Sequence, residues 1–254
     1  MNIIQSNTKL FMFALFLRDK LPFKLQKKIP SELRGSLQDL KENGVAVFPH
    51  LLPDDVIYRA REIIDENIDK ANKYDSDQRI EELEKVSPYI LEVFSNHKMT
   101  KLVGECYTRS LLHLQRSMAG KLSFKPNNLG SGQGWHRDSY SQQFKAMFYL
   151  SDVTNKNGPF EYVTKSHKYK NIYKELKLKK TYLNKGNTHT RFDAELVEKY
   201  ISDNNLISQK YTGPKGTIIL FDSRGLHRGS PIQEGERYAI TNYFINNRHH
   251  QPEE

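Results

Sequence analysis

At 254 residues, with 37% hydrophobic and 11% aromatic side chains, the chain can build one large domain or two small ones, and its 27% charged residues fit a solvated exterior rather than wholesale disorder. One cysteine, Cys106, excludes an internal disulfide and a thiol-rich metal site, and fits a reducing, cytoplasmic compartment where a lone thiol packs as a small hydrophobe. A net charge of +9, from 39 Lys and Arg against 30 Asp and Glu, favours acidic partners without choosing among nucleic acid, phosphorylated metabolites and anionic lipid surfaces.

The apolar run LFMFALFL, Leu10 to Leu17, is followed by Arg18, Lys20, Lys24, Lys27 and Lys28. It is too short to span a bilayer, which takes roughly twenty residues. Little positive charge precedes it and no small-residue cleavage site follows, so a signal peptide is a weak reading. Residues 1–35 therefore form a separate apolar and basic segment with two readings. It packs as a helix on the domain, or residues 10–28 make peripheral contact with the inner face of a membrane, basic side chains against head groups.

A helix is predicted over Ser36–Glu42, closed by Asn43-Gly44, and Val45–Phe48 reads as a short buried strand. Pro53 to Asp55 open an amphipathic helix in which Ile57, Ala60, Ile64 and Ile68 recur at three- and four-residue spacing. Further helices are predicted near Leu83–Phe94 and Ala194–Ile201. From about Leu111 the texture changes to short β-branched or aromatic runs: LLHLQRSM, KLSF, FKAMFYL, FEYV, QKYTG, GTIILFD and YAITNYFI. Turn signals such as PNN, NGP, GPKG, SRG and QEGE separate them. Helices followed by many short strands point to a mainly β sandwich or barrel with helices packed outside.

The chemistry-bearing residues fall in this second part. If Trp135 to Tyr140 lies at a strand end, His136 and Asp138 project to one face and can converge. On a helix, positions two apart point about 200° from each other and could not. His227 follows the strand GTIILFD and a tight SRG turn, a plausible third ligand in a two-His-one-carboxylate site. Taken alone, the His-x-Asp pair also fits a surface His beside an acidic turn residue. Arg237 opens the strand RYAITNYF; in the same cavity its planar fork would need an anion, and on the surface it would pair with Glu234 or Glu236.

The segment WHRDSYSQQFKAMFYLSDVTNKNGPFEYVTKSHK, with LFDSRGLHRGSP and ERYAITNYF behind it, resembles the phytanoyl-CoA dioxygenase family of Fe(II)/2-oxoglutarate oxygenases. LKENGVAVFPHLLPDDVI resembles the family's opening before the barrel, so the likeness runs from about Leu37 to Ile245. Two departures stand out: Thr164 and Lys165 where Pro and Gly are common, and Gly229 where a Ser often helps hold the co-substrate, with Ser230 beside it. The resemblance implies a double-stranded β-helix (jelly-roll, cupin-like) over residues 36–248, with residues 249–254 as a polar tail. It implies iron held by His136, Asp138 and His227, Arg237 on the distal carboxylate of 2-oxoglutarate, and Gln115 as a further co-substrate contact. O2 would be the second co-substrate, with succinate and CO2 released and a hydroxyl delivered to the substrate. Related halogenases replace the carboxylate ligand with a small residue, so the intact Asp138 argues for hydroxylation.

Lys145, Met147 and Tyr149 alternate onto one strand face; Lys145 and Arg224 are candidate substrate contacts, while Met147 and Tyr149 also fit ordinary core. His167 is expected to support the barrel, His189 to lie in a loop within reach of substrate, and His249 and His250 to be solvated. The insert from Lys168 to Phe192, rich in lysine with Tyr169 and Tyr173, reads as a long loop, either a lid over an anionic substrate or a solvated connector. These features leave the substrate open among acidic small molecules, sugars, lipid-linked or surface-glycan precursors and secondary metabolites. Nucleic acid is the lesser partner. Oxygenases that repair it usually carry a second Arg six residues after the first, where this chain has Tyr243. The alternative class is a non-catalytic barrel that binds an anionic partner.

Overall fold

The structure, a computed structural model, describes residues 8–20, 25, 27–183 and 190–246. Helix α1 (Thr8–Lys20) is apolar all round rather than along one stripe, so one neighbour cannot cover it. Met12 and Leu15 are buried against Tyr140, Ile172 and Leu176, and the Phe11 ring meets Tyr140 edge-on with centroids 5.7 Å apart. Leu10, Phe13, Phe16 and Leu17 remain exposed on its outer side.

Helix α2 (Arg34–Asn43) buries Leu37 and Leu40 and stops at Gly44, whose φ of +88° lets its amide turn back to the Asp39 and Leu40 carbonyls. Strand β1 (Val45–Phe48) follows, then α3 (Asp54–Glu66), with Asp54 and Asp55 favouring its N-terminal dipole end. α3 buries Ile57, Ala60, Ile63 and Ile64 and ends at Asn67, leaving Ile68 half-buried in a following 3-10 turn. A polar hairpin, β2 (Asn72–Tyr74) and β3 (Asp77–Ile80), comes next, in a stretch without β-branched or aromatic alternation to announce it.

The helix predicted over Leu83–Phe94 is broken into short turns, Leu83–Val86, Pro88–Ile90 and Leu91–Ser95. Pro88 has no amide hydrogen and drives Ser87 to extended geometry, φ −139°. Helix α4 (Lys98–Thr108) then leads into the strands β4 (Leu112–Ser123), β5 (Phe144–Tyr149) and β6 (Phe160–Val163). Helices α5 (Tyr169–Leu183) and α6 (Ala194–Asn204) interrupt them. β7 (Ser208–Tyr211), β8 (Ile218–Asp222), β9 (His227–Gly229) and β10 (Glu236–Asn246) complete the chain.

All strand pairings are antiparallel, in a seven-stranded sheet ordered β1-β8-β5-β10-β4-β3-β2 and a three-stranded sheet ordered β7-β6-β9. Alternation along the strands sends one set of side chains each way. Ala46, Ala146, Phe148, Leu220 and Ile240 pack against helical Leu40, Ile57, Ile64 and Val103. Val45, Tyr149, Ile219 and Phe221 instead meet Phe160, Tyr162 and Tyr211 of the small sheet. The two sheets thus face each other, and the helices cover the outside of the larger one.

The insert read as a long loop is mostly helix α5. Ile172 and Leu176 are buried, with Tyr169 and Tyr173 packed beside them, an i, i+3, i+4, i+7 apolar row that the lysines between them masked. His189 lies outside the described residues, as do His249 and His250 of the tail. Lys165 adopts φ +65°, the left-handed conformation that glycine takes most readily.

His167 is buried with Nε2 3.2 Å from the Lys41 carbonyl, and burial holds its pKa down at about 4. A depressed histidine pKa stabilises the fold fully above the ordinary value near 6.5 and loses that contribution as pH falls toward the folded value. From 6.5 to about 4 the contribution at stake is at most roughly 3 kcal/mol. Urea midpoints measured between about pH 7.5 and 4.5 are expected to fall more steeply for the wild type than for His167→Gln. Parallel profiles would contradict this.

Candidate metal centre

The two histidines are brought together by backbone pairing. The His136 amide donates to the His227 carbonyl at 2.9 Å and the His227 amide returns the bond to the His136 carbonyl at 2.8 Å. This narrow antiparallel bridge sets their rings 4.4 Å apart between centroids. Two residues on, the Asp138 amide donates to the Ser223 carbonyl at 3.0 Å, so Asp138 stays on the same face as His136. One ligand atom from each of His136, Asp138 and His227 lies within 4.8 Å of the others. The loop before the motif closes over them: Gly132 sits at φ +87°, where a Cβ would collide with the His136 ring.

Each imidazole is oriented from behind. Nδ1 of His136 lies 2.9 Å from the Gly134 carbonyl and Nδ1 of His227 lies 2.8 Å from the Gly225 carbonyl. A carbonyl accepts only from N–H, so both rings carry the proton on Nδ1 and present the Nε2 lone pair inward. These atoms stand 3.9 and 3.8 Å from Asp138 carboxylate oxygens.

The electrostatics suit a cation. Burial lowers the pKa of both histidines, that of His227 to about 3 with help from His136, so both are neutral at ordinary pH. Burial alone would raise the Asp138 pKa, but Lys145 and the two imidazoles outweigh it and hold the carboxyl well below its usual range. The Lys145 ammonium lies 2.6 Å from Asp138 Oδ2 and is almost fully buried.

A cavity of about 230 Å³ opens on these groups. Arg237 lines its inner end, 3% exposed, with a hydrogen bond to the Gly158 carbonyl and its Nε buried without a partner. Glu234 pairs with Lys156, and Glu236 lies near Lys121, so the surface reading of Arg237 does not hold. Ser230 does not stand in for the missing serine at 229, because its hydroxyl donates to Glu161 at 2.9 Å. A side chain at Gly229 would itself press on Ser131.

The other candidates separate. Lys145 and Met147 line the cavity, whereas Tyr149 is core, its hydroxyl donating to the Tyr211 carbonyl at 2.9 Å. Arg224 lies outside the cavity in a buried fork on Asp222, Nη2 to Oδ2 at 2.7 Å. Gln115 is exposed and lies outside the Arg237 cavity, in a neighbouring groove that shares Asp138.

Arg79, Arg116, Arg191, Arg228, Thr241 and Tyr243, none of them marked by a motif, also line the cavity. Thr241 and Tyr243 follow from alternation along β10 once Arg237 is placed; Arg79 sits on the unforeseen hairpin. Arg137, the middle residue of the His-x-Asp motif, is a further unforeseen member of the site's surroundings. Its side chain is fully buried, 3.0 Å from the Glu175 carboxylate of α5, and donates to the Arg224 carbonyl.

The profile of the phytanoyl-CoA dioxygenase family matches residues 40–237. The chain belongs to that family. It is thus an iron- and 2-oxoglutarate-dependent oxygenase, and its antiparallel core with flanking helices is the family's double-stranded β-helix. Among solved structures, the epimerase SnoN from nogalamycin biosynthesis, in complex with Fe3+, alpha-ketoglutarate and nogalamycin RO, is similar at TM-score 0.66 and 13% identity, covering 86% of this chain and 85% of its own. EctD from S. alaskensis with bound Fe gives 0.64 and 16%, covering 89% and 82%. HygX from Streptomyces hygroscopicus with nickel, 2-oxoglutarate and hygromycin B gives 0.58 and 15%, covering 84% and 87%. No curated protein matches in sequence.

Proposed function

We propose that this family member hydroxylates a small molecule, with iron held by His136, Asp138 and His227 and the distal carboxylate of 2-oxoglutarate held by Arg237. One juxtaposition carries the reading: three convergent ligand atoms within 4.8 Å, and in the same cavity a buried guanidinium with an unpaired Nε. Iron bound with 2-oxoglutarate and O2 supplies the oxidation, releasing succinate and CO2. The chain's own work is positional. The Gly134 and Gly225 carbonyls fix the imidazoles, and Lys145 occupies one side of the Asp138 carboxylate. That leaves the other carboxylate oxygen as the atom that would hold the metal.

The cationic lining gives little support to an anionic substrate. Arg79 pairs with Asp77, Arg116 with Glu81, Arg228 with Glu161 and Lys145 with Asp138. Arg191, exposed at the cavity's edge, donates Nη1 to the Gly132 carbonyl at 2.7 Å and keeps its charge. The buried Arg237 has no carboxylate partner among the described residues, which fits one dicarboxylate and does not require a second anion. Purified protein given Fe(II), 2-oxoglutarate and O2 is expected to form succinate slowly without substrate, and Asp138→Ala to form none. Equal succinate from both proteins would overturn the reading.

A second role has its own observation. Leu10, Phe13, Phe16 and Leu17 are exposed together on α1, with Lys170 and Lys177 exposed on the adjoining α5. That pairing of apolar and basic groups fits peripheral contact with an anionic membrane. Among the described residues no helix is long and apolar enough to cross one. Full-length protein is expected to float with phosphatidylserine liposomes, and the quadruple serine variant of those four residues to stay behind. Equal recovery would end the membrane reading.

A further inference from the structure

We propose that the groove outside Asp138, lined by Gln115, Ser139, Ser141, Gln142, Gln143 and Ile245, is the substrate subsite and takes a neutral, hydroxyl-rich molecule of the glycoside or polyol class. The proposal rests on the oxygenase reading and names its substrate class.

The groove follows from the strands. Along β10 the residues Arg237, Ala239, Thr241 and Tyr243 face the inner cavity, and Ile245, next in the alternation, reaches the outer groove. At about 3.3 Å per residue, Arg237 and Ile245 stand roughly 26 Å apart along the strand. The same strand therefore serves the co-substrate at one end and the groove at the other. Between them along the strand stands Tyr243, its ring 4.3 Å from the Arg116 guanidinium and 3.7 Å from the Lys145 ammonium, and the two spaces meet at Asp138.

Strand β4 departs from regular alternation at the matching place. Its register with β10 runs Tyr243 to Arg116 and then Phe244 to Leu114, so Gln115 is the extra residue of a β-bulge. A bulge re-aims a side chain, and here it turns a carboxamide into the groove rather than the Arg237 cavity. Gln143 is fixed in place, accepting from the Ser223 hydroxyl at 3.1 Å, while its own carbonyl accepts from the Ser223 amide at 3.0 Å.

The lining chemistry chooses the ligand. Three carboxamides and two hydroxyls line a groove of about 390 Å³, within the usual range for a small-molecule site. Each of these groups both donates and accepts, as sugar hydroxyls do. Ile245 offers an apolar face for ring C–H groups. The sole ionised side chain in the lining is Asp138 at the inner end, already paired with Lys145 and expected to be engaged by the metal, and the lining offers no Lys or Arg to hold an anion.

The test uses full-length protein loaded anaerobically with Fe(II) and 2-oxoglutarate, reading the visible band of the iron-chelated keto acid. Maltose, trehalose and myo-inositol are added at tens of millimolar, with glucose 6-phosphate as the charged comparison. At least one neutral probe is expected to shift the band saturably, and Gln115→Leu and Gln143→Leu to weaken that response tenfold or more. Both variants should keep the wild-type half-saturation for 2-oxoglutarate. No shift with any neutral probe, or a shift with glucose 6-phosphate alone, would overturn the proposal. So would a loss of 2-oxoglutarate affinity in Gln115→Leu, which would make Gln115 a co-substrate contact. Absence of the band before any probe is added would instead count against the oxygenase reading itself.

Discussion

Arg237→Ala is expected to raise the 2-oxoglutarate concentration for half-saturation by about 100-fold, leaving iron affinity close to that of the wild type. The factor corresponds to roughly 3 kcal/mol, the scale of a charge-assisted, two-pronged contact in a buried site. The sign on stability should be the unusual one. Burial lowers the Arg237 pKa, and its guanidinium donates to the Gly158 carbonyl with no carboxylate beside it among the described residues. Removing a buried charge that lacks its counter-ion relieves a desolvation cost. Arg237→Met is therefore expected to unfold at the same or higher urea concentration than the wild type without ligand, and to lose most of the stabilisation that 2-oxoglutarate gives. Wild-type half-saturation in Arg237→Ala would remove Arg237 from the co-substrate site.

The second large effect is expected behind the metal ligands. Arg137 is held between His136 and Asp138 in the chain, and its side chain is clamped 3.0 Å from Glu175 of α5, both almost fully buried. Its backbone amide donates to the Thr190 carbonyl at 2.8 Å, so the chain on both sides of residues 184–189 is tied to the motif. Glu175→Ala leaves Arg137 buried without its partner and is expected to cost about 3–5 kcal/mol in urea unfolding. Because the pair orients the bridged segment that carries two ligands, iron affinity should fall about 10- to 100-fold. The double variant Arg137→Met/Glu175→Met separates the two consequences. It is expected to recover stability but not iron affinity, whereas recovery of both would reduce the pair to a packing role.

The parts of the molecule that were legible in the sequence are those where local chemistry and tertiary context agree. The Gly44 stop, the β1 strand, the α3 stripe and the β8 run each meet the environment their pattern implies. His136 and Asp138 were readable because residues two apart in extended chain share a face, although the segment forms an isolated bridge at His136 and not the expected strand end, and His227 because it follows a strand and a turn. The misses have physical causes as well. α5 was hidden because its lysines drew attention to charge, while its apolar row is only a few residues wide. The β2–β3 hairpin is held by pairing to β4 rather than by its own polar residues, so no local signal exists. Arg224 looked like an anion contact, but its partner Asp222 lies two residues away in the fold's interior. Gln115 could not be aimed from sequence, since a bulge set by the β4–β10 register decides where it points.

The most direct test of the central claim is an anaerobic titration of apo-protein with Fe(II) and then 2-oxoglutarate, following the visible charge-transfer band of a keto acid chelated to Fe(II). The expected result is a saturable band in the wild type, none in Asp138→Ala, and a band in Arg237→Ala that appears only at much higher 2-oxoglutarate. A folded wild-type protein that gives no band, or an Asp138→Ala protein that gives the same band, would contradict the account.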